Sequence, residues 1–379
     1  MQAHRPVSLG TALLLAALVV GCGDSSEAEL TAEITKVMGR IKDEASNIPM
    51  ALAFSPDGRS LLVGTGIWNA KVRSWDMASG KLLQELEVED APDTAGLDDV
   101  SFVSSIAPAA DNSVTAFGGR FTKRTSLATW DRASGAIVEI PNVPAPLSVA
   151  AGLHPGEVFC GMADGEVTSV NVATGRATPI AKMRGEVQWL FSVPAARWLF
   201  VGTEHYEVAA WDVSSGDRIG TLQLDDSLTV LNVTRDGHKI AVADTNGDLD
   251  IYEFDGGDFR LESRRDLGDP LAAITWSHDA AFIAACIQEA PEPGAPGSVF
   301  DEASGRYQAG KRTLRVWNVN TWAELPTGLA AEDIVFAAFS PVALVLAVFD
   351  RSARPTVVDL QSGEIRRFDP PRRADGSEL

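Results

Sequence analysis

The chain has 379 residues, and its 52 acidic against 32 basic side chains give a formal net charge of −20 at pH 7. This charge excludes a general nucleic-acid binder, because phosphate backbones require Lys and Arg clustered over a broad face.

The first segment of the chain has the pattern of an export signal. Arg5 is followed by an uninterrupted apolar stretch, residues 11–20, that ends in Val19-Val20-Gly21-Cys22. About ten apolar residues are too few to cross a bilayer as a helix, which takes roughly 20. A short apolar region closed by small residues is instead what signal peptidases recognise. We therefore predict that residues 1–21 are removed on export.

The end of this segment resembles the lipobox of bacterial lipoproteins. The resemblance implies that the Cys22 thiol takes a lipid and becomes the new N-terminus, and Gly23 after it favours the outer membrane over retention at the inner one. The expected product is a lipoprotein that is anchored in the outer membrane and faces the periplasm. The alternative is an ordinary signal peptide with a chance cysteine.

Residues 22–48 are predicted to contain the lipidated cysteine, a linker and one amphipathic helix. Between Ser26 and Ala45, apolar side chains recur at helical spacing, and Ser26 with Glu29 forms a capping-box pattern. Such a helix either covers an apolar patch of the following domain and spaces it from the membrane, or docks a partner.

A repeat of roughly 41 residues organises the rest of the chain. Its copies are marked by recurrent residue pairs at the ends of strand-like segments. The seven pairs are Trp75-Asp76, Trp130-Asp131, Val170-Asn171, Trp211-Asp212, Tyr252-Glu253, Trp317-Asn318 and Val358-Asp359. Most copies are one period apart, and the two longer intervals contain insertions.

Each copy repeats the same order of strand and turn signals. The first reads ALAFSPDG, SLLVGTG, KVRSWDMASG and KLLQELE, which is four β-rich segments separated by turn residues. Four antiparallel strands per repeat predict an all-β fold, a seven-bladed β-propeller of four-stranded antiparallel blades over residues 49–369. The polar tail, residues 370–379, is predicted to be disordered.

These motifs resemble those of the WD-repeat propellers, and Phe54-Ser55-Pro56-Asp57-Gly58 followed by Trp75-Asp76 carries the resemblance. No copy carries the Gly-His pair that precedes the first strand in that family, and three copies lack the Trp. Its polar His-Ser-Asp-Trp network is therefore not expected here. Lactonase-like and quinoprotein-like propellers share the same strand arrangement, so the repeats predict architecture more than function.

The sequence contains no recognisable catalytic, metal or cofactor motif. His154, His238 and His278 fall in turns of separate repeats, and His205 lies at the opposite end of its blade, so no metal site is expected. Cys160 and Cys286 lie in apolar segments and are predicted to be buried free thiols. The first strands are apolar and small, which favours a binding protein over the alternative, a lactonase-like or quinoprotein-like enzyme that uses the central channel.

Insertions and unusual side chains gather at one end of the predicted propeller. Residues 289–311 lie between second and third strands and residues 88–99 lie between two blades, so both emerge on the same face. Basic and aromatic side chains on exposed loops are typical of interfaces, although they are also compatible with ordinary solvated charges. The predicted partner-binding residues are Trp68, Lys71, Arg120, Phe121, Lys123, Arg124, Arg306, Tyr307, Lys311, Arg312, Arg351 and Arg354.

We accordingly predict a scaffold that binds a protein partner through this face and contacts the membrane only through its lipid.

Overall fold

The fold is built from short antiparallel strands. The computed structural model describes residues 49–66, 70–88, 102–109, 114–121, 124–140, 143, 146–225, 228–288, 300–301, 306–307, 312–329, 334, 336–350 and 354–371. The predicted signal peptide, Cys22 and the amphipathic helix lie outside these residues. Among the residues described, no helix has the length and apolar character needed to cross a membrane.

Each repeat forms one antiparallel sheet, and the strands follow one another in sequence order. Sheet one contains β1 (Pro49–Phe54), β2 (Ser60–Thr65), β3 (Lys71–Asp76) and β4 (Leu82–Glu87). Sheet two contains β5 (Phe102–Pro108), β6 (Val114–Phe121), β7 (Arg124–Asp131) and β8 (Ile137–Ile140). Sheet three contains β9 (Pro146–Ala151), β10 (Glu157–Met162), β11 (Glu166–Asn171) and β12 (Arg176–Lys182).

The following sheets have the same plan. Sheet four contains β13 (Val187–Val193), β14 (Trp198–Thr203), β15 (Glu207–Asp212) and β16 (Asp217–Gln223). Sheet five contains β17 (Leu228–Val233), β18 (Lys239–Asp244), β19 (Asp248–Phe254) and β20 (Phe259–Asp266). Sheet six contains β21 (Leu271–Trp276), β22 (Phe282–Gln288) and β25 (Arg312–Asn318), with a small hairpin, β23 (Phe300–Asp301) and β24 (Arg306–Tyr307), between the last two. Sheet seven contains β26 (Phe336–Phe339), β27 (Val345–Phe349), β28 (Pro355–Asp359) and β29 (Ile365–Arg367).

The prediction of seven four-stranded blades is wrong, because the described residues form six four-stranded sheets, one sheet of three strands and the two-stranded hairpin of β23 and β24. In sheet six the returning chain makes only an isolated bridge between Trp317 and Glu324, followed by a hydrogen bond of 2.8 Å from the Leu325 N–H to the Val316 oxygen. Pro326 comes next, and it has no N–H with which to extend a ladder. The returning chain therefore does not form a fourth strand in sheet six.

The sheets form a closed ring. Contacts run from β1 to β5, β9, β13, β17, β21 and β26 in turn, and β26 contacts β1 again. These first strands surround a central channel. The apolar core lies between neighbouring sheets: Phe200 of sheet four and Phe254 of sheet five, for example, pack edge to face with ring centroids 5.3 Å apart.

The recurrent Asp and Asn residues of the repeat pairs organise turns. In sheet one the Asp76 carboxylate accepts a hydrogen bond of 2.7 Å from the Ser79 N–H, and Asp359 accepts an equivalent bond of 2.8 Å from Ser362. The predicted turn role of Asp57 is also confirmed, since the Ser55 hydroxyl donates to its carboxylate at 2.6 Å. The residue pairs that mark the repeats in the sequence therefore largely reflect the turns that their Asp and Asn side chains stabilise.

The two described cysteines, Cys160 on β10 and Cys286 on β22, are free and buried, as predicted. The described structure also continues to Pro371, whose side chain is buried, two residues into the predicted tail.

Candidate functional site

The antiparallel order of every sheet assigns the connections to two ends of the ring. Loops between second and third strands, together with the connections from one sheet to the next, emerge at one end, which we call the insertion face. Turns between first and second strands and between third and fourth strands emerge at the other end, the turn face. The hairpin of β23 and β24, which lies between β22 and β25 in the chain, belongs to the insertion face.

The structure describes the predicted partner-binding residues to different extents. The strands β6 and β7 are two residues longer than β2 and β3, and three of the predicted residues, Arg120, Phe121 and Arg124, lie at their adjoining ends. Side chains are described for Lys71, Arg312 and Arg354; the main chain alone is described for Arg120, Phe121, Arg124, Arg306 and Tyr307; and Trp68, Lys123, Lys311 and Arg351 lie outside the described residues.

The three described basic side chains have partners within the chain. The Lys71 ammonium lies 3.4 Å from the Glu87 carboxylate, and the Arg354 Nε donates a hydrogen bond of 2.7 Å to the Phe368 main-chain oxygen. The Arg312 guanidinium lies 3.4 Å from the Gln288 side-chain oxygen. The role of this arc in partner binding stays a prediction, and these three residues also have structural contacts.

An aromatic residue outside the predicted partner-binding set occupies the insertion face of sheet four. Tyr206, in the loop between β14 and β15, has a φ of +62°, in the left-handed region. The equivalent positions of sheets three and five are filled by Gly165 and Gly247, with φ of +88° and +92°. A side chain in this conformation costs about 1–2 kcal/mol, because its Cβ crowds the main chain.

The tyrosine at this position is not part of a buried core. Trp322 also has a positive φ, but its indole packs against a buried cluster and lies 4.6 Å beneath the Arg265 guanidinium. Tyr206 belongs to none of the buried apolar clusters of the described structure, and it is 37 % exposed. The strained position therefore displays an aromatic ring to solvent.

The loop that carries Tyr206 is held in place by its neighbours. The Gln223 side-chain amide donates a hydrogen bond of 3.1 Å to the Tyr206 main-chain oxygen. The adjacent His205 ring lies against Gly185, where even a methyl group would clash with it. Across the same surface, the Glu186 N–H donates to the Glu204 carboxylate at 3.5 Å. The ring is thus presented from a fixed loop.

The surface around this loop is mostly acidic. Asp164 and Lys182 of sheet three pair at 3.1 Å, and the Glu166 N–H together with the Lys182 ammonium holds the pKa of Asp164 below its ordinary value. On sheet five, partial burial and the nearby Asp244 carboxylate raise the pKa of Asp248. The insertion face is therefore acidic around sheets three to five, opposite the predicted basic arc.

Tyr206 could have been singled out by aligning the repeats of the sequence with one another. The loop reads Asp164-Gly165 in one copy and Asn246-Gly247 in another, both common turn sequences, but His205-Tyr206 in the copy between them. The signal is a bulky residue at a glycine position. The partner-binding face was predicted from basic residues and insertions, and neither feature points to Tyr206.

The first strands line a channel of about 440 Å³. Its walls come from β1, β5, β9, β13 and β26, and apart from the Gln188 amide they are apolar or hydroxyl-bearing, in agreement with the mostly apolar first strands of the sequence. His154, His205, His238 and His278 are exposed and stand on separate loops. Within the described part of the chain, no group of three potential ligands could hold a metal ion.

Comparison with known proteins supports the fold. No protein-family model matches the chain, and no curated protein matches its sequence. Among many similar solved structures is the β-propeller domain of Myceliophteria thermophila Cps50 (Swd1), with a TM-score of 0.60 and 12 % sequence identity. The match covers 84 % of this chain and 95 % of that one. At this identity the similarity shows a β-propeller fold and nothing about activity.

Proposed function

We propose that this protein is a scaffold that binds a protein partner through its insertion face. The observation that carries the proposal is Tyr206, an exposed ring at a strained position that glycine fills in the two neighbouring sheets. Residues that are held in strained conformations cluster at functional sites. Tyrosine is also enriched among the residues that dominate binding energy, because it supplies a large contact area with few rotatable bonds.

The predicted basic arc supplies a second contact region on the same face. Sheets six, seven, one and two are consecutive around the ring, and they carry the predicted basic and aromatic partner-binding residues. A partner that spans the face would place an acidic region on this arc and contact Tyr206 across the channel mouth. Rigid sheets support such a surface, because they satisfy their own hydrogen bonds and leave the loops free to vary.

We also propose that Cys22 tethers the propeller to the outer membrane from the periplasmic side. The lipobox resemblance supports this. Several acyl chains anchor stably, whereas one chain binds only marginally, so the protein should resist a salt wash of the membrane fraction. Cys22→Ser should release it into the soluble fraction, and an intact mass that shows an unmodified Cys22 would contradict the tether without affecting the proposed binding face.

The partner-binding proposal is tested by co-purification from detergent-solubilised membranes. Tyr206→Gly should remove the ring, relieve the strained main chain and reduce recovery of the partner at least tenfold. Arg197→Gly is the matched control, since Arg197 also has a positive φ, +60°, but lies on the turn face of the same sheet. Equal recovery with both variants would contradict the proposal.

Charge reversal tests the basic arc separately. Reversing Arg120, Arg124, Arg312 and Arg354 should slow association with an acidic partner, and the effect should weaken as salt is added. Reversing Arg59, Arg197 and Lys239 on the turn face should change little. Because Arg354 also bonds to Phe368 and Arg312 lies beside Gln288, the unfolding transition of each variant must be measured alongside.

A further inference from the structure

The outer edge of sheet four is open to solvent. A hydrogen bond of 2.8 Å from the Leu224 N–H to the Tyr206 oxygen sets the alternation of the ladder between β15 and β16. Main-chain groups of an antiparallel strand point alternately to its two sides, so those of Thr221 and Gln223 point away from β15. Both residues are exposed, and within the described structure their outward N–H and C=O groups have no hydrogen-bond partner.

The equivalent edge is protected in the other five four-stranded sheets that the structure describes. At the place of Thr221, the fourth strand has a charged residue in four of these sheets and a proline in the fifth. These residues are Glu85, Glu139, Pro179, Arg264 and Arg367. Charged side chains and proline on an edge strand hinder its pairing with another chain. Among these six sheets, only sheet four has an uncharged residue with an N–H at this place.

The second outward position of β16 shows the same contrast. Gln223 pairs with Glu207 at the start of β15. The equivalent residues of sheets one, three and five are all charged, and they are Glu87, Lys182 and Asp266. Residues 219–223 contain neither a charged side chain nor a proline. The outer edge of sheet four therefore lacks the features that prevent pairing at the other edges.

Packing against sheet five holds β16 in place. A Cβ on Gly220 would lie 2.8 Å from the Phe254 ring and 2.9 Å from the Gly257 oxygen, so the strand lies very close to its neighbour. Ile219 and Leu222 pack against the core between sheets four and five. Because the strand is already ordered, a binding segment gains its hydrogen bonds without the cost of ordering β16.

The open edge continues into the surface at Tyr206. The Gln223 side-chain amide donates a hydrogen bond of 3.1 Å to the Tyr206 main-chain oxygen, at the insertion-face end of β16. A segment that is bound along β16 would therefore reach the Tyr206 ring. A second copy of this chain is a less suitable occupant, because the net charge of −20 opposes self-association.

We propose that an extended segment of the protein partner pairs with β16 and adds a fifth strand to sheet four. Its main chain exchanges hydrogen bonds with Thr221 and Gln223, as in other cases of strand addition. An uncharged, β-branched residue of the segment suits the position opposite Thr221. This inference rests on the proposed function, since the same partner contacts Tyr206.

Substitutions of Thr221 test the edge by co-purification of the full-length protein and its partner from detergent-solubilised membranes. Thr221→Pro removes an outward N–H and should lower recovery of the partner roughly tenfold or more. Sheet three accommodates Pro179 at the equivalent place, so the variant should fold. Thr221→Val keeps the N–H and the branched shape and should bind as the wild type does. Glu139→Pro, at the equivalent place of sheet two, is the matched control and should not lower recovery.

The outcomes separate this inference from the proposed function. Equal recovery with Thr221→Pro and Glu139→Pro, when thermal unfolding shows both to be folded, would overturn the added strand. A loss with Tyr206→Gly in the same experiment would leave the proposed function intact. Equal losses with Thr221→Pro and Thr221→Val would assign the contact to the Thr221 hydroxyl group and would also overturn main-chain pairing.

Amide hydrogen exchange of the co-purified complex measures the pairing directly. The Thr221 and Gln223 N–H groups should exchange about tenfold more slowly, or slower still, in the complex than in the free protein. The Leu222 N–H points towards β15 and should be protected in both. Unchanged exchange at Thr221 and Gln223 would overturn the proposal. So would a dimer of the free protein, seen by analytical ultracentrifugation, that Thr221→Pro converts to a monomer, because the edge would then bind a second copy.

Discussion

The Trp75 indole Nε1 donates a hydrogen bond of 2.9 Å to the Asp369 main-chain oxygen and so connects sheet one to the end of the chain, 294 residues later. The Asp369 N–H donates in turn to the Gly80 oxygen at 2.9 Å. Phe368, 1 % exposed, packs in one cluster with side chains of sheets one and seven. Each described sheet is built from consecutive strands, so no sheet combines strands from the two ends of the chain. The contacts of Phe368 and Asp369 with sheet one therefore hold the two ends of the ring together.

Removing the Phe368 side chain is therefore expected to weaken the junction between the two ends of the ring. Phe368→Ala should lower the free energy of unfolding by about 3 kcal/mol or more, because it leaves a cavity between two sheets. Ile365→Ala, three residues earlier and 40 % exposed in the wild type, should cost less than about 0.5 kcal/mol. Denaturant unfolding measures both, and similar losses would show that Phe368 does not close the ring.

Much of this fold could be predicted from the sequence. The turn residues at the repeat pairs set the strand boundaries, and the apolar strands between them indicated the inter-sheet cores. The three-stranded sheet could not be predicted, because Trp322-Ala323-Glu324 begins a fourth strand as the other copies do, and the ladder stops only at Pro326. The ends of the ring are joined by main-chain atoms of Asp369 and by the buried Phe368 side chain, and no repeated motif in the sequence marks either contact.

The candidate sites were less predictable. Basic residues are easy to read in an acidic sequence, but the described Lys71 and Arg354 have partners that depend on strand register and ring closure. Tyr206 is recognised as unusual when its φ is known and its loop is aligned with those of Gly165 and Gly247.

The strain assigned to Tyr206 makes a prediction about stability. Tyr206→Gly and Arg197→Gly should each leave the protein as stable as the wild type or more stable by up to about 1 kcal/mol, because relief of the left-handed conformation offsets the greater freedom of glycine in the unfolded chain. Thermal unfolding of both variants measures this. A loss of more than about 2 kcal/mol for Tyr206→Gly would mean that the ring supports the fold.

The buried ion pair of sheet one should be sensitive to removal of one partner. The Arg73 side chain is 1 % exposed and its Nε lies 2.6 Å from the Glu85 carboxylate, while burial lowers the pKa of Arg73. Glu85→Ala should cost about 3 kcal/mol, whereas Arg73→Met combined with Glu85→Leu should be nearly neutral.

The exposed pair of Lys182 and Asp164 provides the control for that experiment, and Asp164→Ala should cost less than about 0.5 kcal/mol. Equal costs for Glu85→Ala and Asp164→Ala in denaturant unfolding would show that burial of Arg73 contributes nothing.

The two buried thiols should make stability depend on alkaline pH. Burial raises the pKa of Cys160 and of Cys286 from 9.0 to about 12. Below pH 9 both states keep the thiols protonated, so they cause no change. Between pH 9 and 12 the unfolded chain loses these protons and the folded chain keeps them, so the free energy of unfolding should fall by about 1.4 kcal/mol per pH unit for each thiol.

A variant with both Cys160→Ala and Cys286→Ala isolates the thiols from other groups that titrate in this range. Its unfolding free energy, measured by denaturant titration from pH 8 to 11, should fall less steeply than that of the wild type. Parallel curves would contradict the assigned burial.

The central claim is that the insertion face at Tyr206 contacts a protein partner. Its most direct measurement is photo-crosslinking in intact cells, with a benzophenone amino acid placed at position 206 in one strain and at position 197 in another. We expect a discrete crosslinked protein from position 206 and none from position 197. Crosslinks from position 197 alone, or none from either position with both proteins folded and expressed, would contradict the claim.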